Sequence, residues 1–262
     1  MSTPPALRVW ENNFAIYRRI WRSNLLGSFV QPLLYLLGMG VGVGTLVDAD
    51  AGSTATLGGV DYFAFLAPAL LATTAMMVVT QEALWPVMDG FVWNNAYRAM
   101  TATPLRPADV AAGVSAWHAT RAALAATGVA LVLVLFPATR SWGLVLAVPF
   151  AVLTGLAFSG PVMAWSSSRD SGGDHSFPVI LRFGIVPMFL FAGAFYPITQ
   201  LPDWLQVVAR ATPLYHGVEL CRGALLGTLG VGAAAVHIAV LLAFWLAGFI
   251  SCRHTFERRL AT

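Results

Sequence analysis

Long runs of apolar residues without charges constrain this chain more than any other feature of its sequence. Hydrophobic residues make up 58% of its 262 residues and charged residues only 10%, whereas charged residues are about a quarter of a typical soluble domain. Because a helix needs about 20 apolar residues to cross the hydrocarbon core of a bilayer, these runs predict transmembrane helices. The composition excludes a disordered chain, a nucleic-acid-binding module and an ordinary cytosolic domain.

The runs predict an all-α membrane protein with six transmembrane helices, in one domain that covers residues 1–262. They are long and unbroken, whereas the strands of a transmembrane β-barrel alternate apolar and polar residues. The predicted spans are residues 25–47, 62–84, 110–136, 142–166, 178–198 and 230–251.

Basic residues predict the orientation of these spans. All 15 of them are arginine, and most flank the spans on the side that carries both termini. Since cytoplasmic loops are enriched in basic residues, both termini are predicted to be cytoplasmic. The net charge of +3 is interpreted in the same way, and we expect no nucleic-acid partner.

The absence of lysine excludes two kinds of chemistry. A GxxxxGK[ST] phosphate-binding loop cannot exist without its lysine, and lysine Schiff-base catalysis is excluded too. The two cysteines, Cys221 and Cys252, are too far apart in the sequence to form a metal-binding motif. We therefore expect no catalytic residue, no metal site and no cofactor in this chain, and an energy source outside it.

Two segments outside the spans are predicted to form amphipathic helices. Residues 7–22 repeat aromatic and apolar side chains at helical spacing with arginines between them, which is typical of a helix along the cytoplasmic interface. The second helix is predicted at residues 88–101, within the cytoplasmic segment 88–104, and it carries Phe91, Trp93 and Tyr97. It follows Pro86, which should end the second span. Exposed aromatic side chains there would either dock a partner or rest among lipid headgroups.

Residues 199–225 are too polar to span a membrane and too apolar for an ordinary loop. Prolines divide the region, so short helices are predicted at residues 203–211 and 214–225, in a re-entrant or half-buried hairpin on the outer side. Glu219 and Arg222 are three residues apart and can pair on one helix face. This pair is either functional or only a structural ion pair.

Paired glycines in the first predicted span indicate close helix packing. Gly38 and Gly42 form one GxxxG pattern, and Gly40 and Gly44 form another. Small residues let helices approach closely in lipid, so these positions predict either a neighbour within the chain or a dimer interface. In the third span, Arg121 lies near the cytoplasmic end and is expected to extend toward the headgroups.

Three stretches of the chain carry motifs of a known family. They read RSNLLGSFVQPLLYLLGMGVGVG at residues 22–44, TPLRPADVAAG at residues 103–113 and AGAFYPITQLPDWLQVVARATPLYHGVELCRG at residues 192–223. These stretches resemble the membrane subunit of ABC-2 type exporters, closest to the nodulation-factor export and antibiotic-resistance permeases. The third is similar to the family's FP…LP…PL.H…E..R signature, with Tyr196 where phenylalanine is more frequent.

The resemblance implies a half-transporter in the bacterial cytoplasmic membrane. It implies a second membrane subunit, which is either identical, the preferred interpretation, or a different permease chain. It also implies two ABC ATPase subunits that bind ATP and Mg, and export of an amphiphilic substrate such as a lipid-linked saccharide, a glycolipid or a hydrophobic drug. The coupling segment, residues 88–104, would contact the ATPase through Gly90, Phe91, Trp93, Tyr97, Arg98 and Pro104. The outer segment, residues 199–225, and the turn before it would cover the outer mouth of the transport path through Pro197, Leu201, Pro202, Pro213, Leu214, His216, Glu219 and Arg222.

Two other functions are alternatives at this point. An intramembrane serine protease would pair Ser159 with His237, but at 1.5 Å per residue the two are expected to differ in depth by about 17 Å. An ion-coupled secondary transporter would place charged groups at the midplane of the membrane. The central parts of the first, second, fourth and fifth predicted spans carry none.

Overall fold

The computed structural model describes residues 4–49, 51–170 and 173–261, and within them every regular element is helical. This confirms the predicted all-α fold class. In chain order the helices are α1 (Pro5–Tyr35), α2 (Gly44–Asp48), α3 (Ala51–Thr56), α4 (Tyr62–Met88), α5 (Ala96–Thr101), α6 (Pro107–Val134), α7 (Gly143–Ser167), α8 (Phe177–Ile180), α9 (Val186–Phe191), α10 (Asp203–Arg210), α11 (Pro213–Leu226) and α12 (Val231–Leu260). Stretches of π-helix continue three of these helices, at Leu36–Val43, Asp89–Trp93 and Leu181–Ile185.

Four helices in the described part of the chain are long and apolar enough to cross a bilayer. They are Tyr62–Trp93, Pro107–Val134, Gly143–Ser167 and Val231–Leu260. These helices coincide with the second, third, fourth and sixth predicted spans. Two shorter apolar helices, Pro32–Asp48 and Phe177–Phe191, lie where the first and fifth spans are predicted.

The fifth predicted span, residues 178–198, is wrong at its C-terminal end. The helical residues end at Phe191, and the chain then forms a turn around Gly193. Gly193 has a φ of +79°, which an L-residue with a side chain rarely adopts, so the helix cannot continue through this position. Pro197 follows and begins the next short turn.

The N-terminal segment, residues 7–22, is not a separate helix, because α1 runs without interruption from Pro5 to Tyr35. No proline lies between residues 6 and 31 to end it. The start of α1 packs on α6, where Trp10 donates a hydrogen bond to the Thr120 hydroxyl at 2.9 Å. Val9 is buried against Gly113, which has no side chain to keep the two helices apart.

Pro86 does not end the second span, contrary to expectation, because α4 continues to Met88 and then as π-helix to Trp93. A proline inside a helix leaves the carbonyl four residues before it without its usual donor. That carbonyl belongs to Glu82, and the His118 ring forms a hydrogen bond with the Glu82 backbone. The other ring nitrogen of His118 lies 2.8 Å from the Ser159 hydroxyl.

The long helix α7 lies at the centre of the molecule and packs against α4, α6, α11 and α12. Glycines allow these close approaches. A Cβ atom on Gly155 would lie 3.0 Å from a methyl group of Val79, and one on Gly217 would lie 2.1 Å from the Thr154 hydroxyl. Close backbone approach is how helices gain packing energy in lipid, where water supplies no driving force.

We expect that His118→Phe lowers stability mainly by leaving the Glu82 carbonyl unsatisfied. An unpaired buried polar group costs about 1–3 kcal/mol. Pro86→Ala restores an amide donor for that carbonyl, so the penalty of His118→Phe should fall by about 1 kcal/mol in the Pro86→Ala background. Thermal unfolding of the four proteins in nanodiscs measures this coupling.

Pro149→Ala is the matched control, because Pro149 also lies inside a spanning helix, α7. The penalty of His118→Phe should be unchanged in that background. Equal penalties in all three backgrounds would contradict the role given to His118.

Candidate functional site: the coupling segment and the outer segment

The coupling segment is a helix end followed by a tight turn and one short helix. The turn is made by Asn95, the only non-glycine residue with a positive φ in the described residues, at 54°; asparagine tolerates this conformation better than most residues. The Asn94 side chain bonds both to Asp89 and, at 2.8 Å, to the amide of Ala96. These local bonds fix the turn between Trp93 and α5.

The aromatic side chains of the coupling segment divide into a buried and an exposed set. Phe91 and Tyr97 are buried, so the expectation that they are exposed is wrong. Trp93 is 51% exposed, and Arg98 and Pro104 are exposed as well. The surface available to a partner is therefore smaller than predicted and is centred on Trp93.

Phe91 and Tyr97 are buried because the C-terminal end of α12 packs on them. The Phe256 ring lies 4.7 Å from the ring of Phe91 and 5.5 Å from that of Tyr97. Tyr97 also lies directly on Gly90, where a Cβ atom would come within 2.4 Å of the phenol ring. Burial raises the pKa of the Tyr97 phenol well above its usual range, so the ring stays neutral at any physiological pH.

Arg121 does not extend toward the headgroups, contrary to prediction. Its side chain is buried, and it donates to the Glu82 carboxylate at 2.7 Å. The guanidinium also lies over the Tyr17 ring at 4.7 Å, and the Trp117 indole donates to the same carboxylate at 3.4 Å. This cluster connects α1, α4 and α6 near the coupling segment. The sequence feature that could have indicated this cluster is Glu82, the single acidic residue inside the second predicted span.

The outer segment contains two short helices, α10 and α11, close to where they are predicted. Pro202 precedes α10, and Pro213 is the first residue of α11, where its missing amide hydrogen costs nothing. The Thr212 side chain accepts from the amide of Tyr215 at 3.4 Å and caps α11. The buried Leu214 joins the main hydrophobic core, so α11 lies inside the fold, while Leu201 is only partly buried at the edge.

Arg222 holds the outer segment to the rest of the molecule. It pairs with Glu219 at 2.8 Å, as predicted, and donates to the backbone carbonyls of Gly193 at 2.7 Å and Phe65 at 3.3 Å. The guanidinium also lies 3.8 Å from the centre of the Phe65 ring. One cation therefore fixes α11, the turn after α9 and the start of α4.

His216 connects the outer segment to α12, which the sequence did not predict. One of its ring nitrogens lies 2.9 Å from the carbonyl of Arg210, so this nitrogen must donate. The other lies 2.7 Å from the Nδ1 atom of His237 on α12. Among the described residues, no three His, Cys, Asp or Glu side chains are arranged to hold a metal ion.

The pairing that a serine protease would need is absent from this structure. His237 contacts His216, whereas the Ser159 hydroxyl lies against His118 and the Met163 sulfur. Both Ser159 and His118 are buried in the core. The Ser159–His237 dyad behind that alternative is therefore wrong.

The two GxxxG patterns face different surroundings. Gly40 and Gly44 face α4, where Cβ atoms would lie 2.7 Å from the Phe63 ring and 3.7 Å from the Tyr62 ring. Gly38 and Gly42 are exposed on the opposite side. The first pair serves packing within the chain, and the second pair is open to lipid or to another subunit.

Comparison with known proteins gives the family. The model of the ABC-2 type transporter family matches residues 7–226, which include both the coupling segment and the outer segment. The chain belongs to the ABC-2 type transporter family. It is thus a membrane subunit of an ABC exporter and a multi-pass transport component of the inner membrane. Membership of this family implies partnership with ABC ATPase subunits.

Several curated relatives share the name Nodulation protein J. The protein of Rhizobium leguminosarum bv. trifolii is 34% identical over 97% of this chain and 93% of its own length. The protein of Rhizobium meliloti (strain 1021) is 32% identical over the same shares of both chains. The ABC-2 family match ends before α12, although these relatives cover nearly the whole chain.

We expect Arg222→Gln to destabilise the protein more than Glu219→Gln. Arg222→Gln leaves two backbone carbonyls and a carboxylate without their donor, and each buried acceptor left unsatisfied costs about 1–3 kcal/mol. Glu219 is the more exposed partner, and its loss leaves the other contacts of Arg222 in place. Thermal unfolding in nanodiscs measures the difference.

Arg253→Gln is the matched control, since Arg253 pairs with Glu257 at the same 2.8 Å on an exposed helix face. Exposed pairs contribute about 0–1 kcal/mol. A loss for Arg222→Gln no larger than for Arg253→Gln would refute the role of the outer-segment pair.

Proposed function

We propose that this ABC-2 subunit forms, with an identical second copy and two ATPase subunits that bind ATP and Mg, an exporter of an amphiphilic substrate. The observation that carries the proposal is the coupling segment, which presents Trp93 and Arg98 on a rigid base. The chain has no lysine and so lacks the phosphate-binding loop of an ATPase. Its energy must come through contacts with a partner.

The base of the coupling segment suits it to transmit force. Phe91 and Tyr97 are anchored in a second hydrophobic core together with residues of α4, α6 and α12. Movement of an ATPase against Trp93 would therefore shift whole helices and not only a loop. An ATPase drives transport by favouring different packings in its different nucleotide states.

The proposed topology has six spans with both termini in the cytoplasm. The four long apolar helices account for four spans, and the shorter helices Pro32–Asp48 and Phe177–Phe191 account for the others. The arginine distribution supports this orientation. In it, the coupling segment lies in the cytoplasm and the outer segment lies at the opposite face, over the mouth of the path.

The substrate class is proposed from the apolar character of the spanning helices. The partly buried Glu82 and the buried Arg121 form an ion pair, which does not favour an ion-coupled secondary transporter. A lipid-linked saccharide, a glycolipid or a hydrophobic drug could move along apolar helix surfaces. The open face of Gly38 and Gly42, flanked by the exposed Leu34 and Val41, supports contact with the second membrane subunit.

We expect Trp93→Ala to abolish export while ATP hydrolysis by the assembled complex continues. The substitution removes the largest exposed side chain of the coupling segment and leaves the buried Phe91 and Tyr97 in place. Substrate efflux and phosphate release are measured together in inner-membrane vesicles.

Trp142→Ala is the matched control, because Trp142 is an even more exposed tryptophan, 91% accessible, that precedes α7 on the proposed outer side. It should leave the ratio of export to hydrolysis unchanged. Normal export by Trp93→Ala, or export that stops on addition of an uncoupler at constant ATP, would contradict the proposed coupling.

A further inference from the structure

The last helix, α12, contacts the rest of the molecule along a single narrow stripe. It has 30 residues, which at 1.5 Å per residue makes it about 45 Å long. Its fully buried residues are Leu241, Gly248, Cys252 and Phe256, spaced by seven, four and four positions on one face. The family match ends before this helix, so that match assigns it no role.

The C-terminal end of α12 packs against the coupling segment. Phe256 is completely buried against Phe91 and Tyr97. One turn later, the guanidinium of Arg259 lies 4.7 Å from the centre of the Phe91 ring and pairs with Asp170 at 3.5 Å. Any displacement of the coupling segment must therefore move this end of α12 or break these contacts.

The N-terminal half of α12 packs against the outer segment. His237 bonds to His216 of α11 at 2.7 Å, and the Tyr215 ring lies 6.0 Å from the His237 ring. One turn later, Leu241 is buried with Leu220 of α11. The same helix thus holds both segments that the proposed transport cycle has to coordinate.

Between the two ends, the backbone of α12 touches that of α7. A Cβ atom on Gly248 would lie 2.1 Å from the Pro161 ring, and one on Gly160 would lie 2.4 Å from the carbonyl carbon of Gly248. Gly248 packs directly on Gly160 and on the Pro161 ring, and this close contact can act as a pivot. It lies about 17 Å from His237 and about 12 Å from Phe256 along the helix.

We propose that α12 is a rigid mechanical link that tilts about Gly248 and couples the coupling segment to the outer segment. Phe256 and Arg259 are positioning residues at one end, and His237 is the positioning residue at the other. A displacement at Phe256 moves His237 in the opposite direction, because the pivot lies between them. This inference rests on the proposed function only for its role in export; the linkage is a property of the membrane subunit alone.

Hydrogen–deuterium exchange of the full chain in nanodiscs, without ATPase, tests the linkage. Phe256→Ala should raise exchange about tenfold in the coupling segment and also in α10 and α11, because a mechanical link passes on the loss of restraint. His237→Gln, a mild change that preserves folding, should raise exchange in the coupling segment. Coupling between two sites is reciprocal, so both effects are required.

Matched variants on the same helix serve as controls. Leu246→Ala changes an exposed side chain, and Gly232→Ala adds a methyl group where nothing lies within 4 Å; neither should alter exchange in either segment. Gly248→Ala instead forces the helices apart at the pivot and should weaken the remote effect of His237→Gln. Effects of Phe256→Ala and His237→Gln that stay confined to their own ends would overturn the proposal.

A second readout separates this inference from the proposed function. In the assembled exporter, His237→Gln should at least double the ATP consumed per substrate exported without slowing hydrolysis, which a merely local packing defect would not do. If the exchange effects appear but the chain binds no ATPase subunits when these are added, the proposed function is refuted and the linkage stands. An unchanged export ratio in a complex that does bind them would refute the linkage.

Discussion

Inside a bilayer, a chain must satisfy its backbone hydrogen-bonding groups and its charges with its own atoms. This requirement determines the structure wherever a helix is interrupted by a proline or a turn. Pro86 deprives the Glu82 carbonyl of a donor, and His118 bonds to that backbone. The turn after α9 exposes the Gly193 carbonyl, and Arg222 donates to it. Side chains of types that often serve in catalysis thus complete the hydrogen bonds of an interrupted helical framework.

The packed helices and the two segments at their ends have different roles. This difference explains how an ATPase partner could drive a protein that has no energy source of its own. The polar clusters and glycine contacts hold α4, α6, α7 and α11 as a unit. The coupling segment projects from that unit at one end, and the outer segment closes it at the other. Helix α12 contacts both segments and is the least buried of the four long apolar helices in the described part of the chain, which is why the proposed link is assigned to it.

Much of the fold follows from local sequence, and most of what does not follow is long-range. Apolar run length located the four long helices, and the prolines located α10 and α11. Run length could not show that residues 192–198 leave the helix, because that depends on the backbone conformation of Gly193. The pairs Glu82–Arg121 and His216–His237 join residues on different helices. The spacing of residues along one helix shows which of them share a face, but not which residues of another helix they contact. Phe91 and Tyr97 appeared exposed because nothing local shows that Phe256 returns to cover them.

The most direct test of the account is the rate of ATP hydrolysis by the purified chain, alone and with an ABC ATPase subunit, in the same lipid. The account predicts no hydrolysis by the chain alone, and hydrolysis by the complex that changes when an amphiphilic substrate is added. Hydrolysis by the chain alone, or substrate transport by the chain without any ATPase subunit, would contradict it.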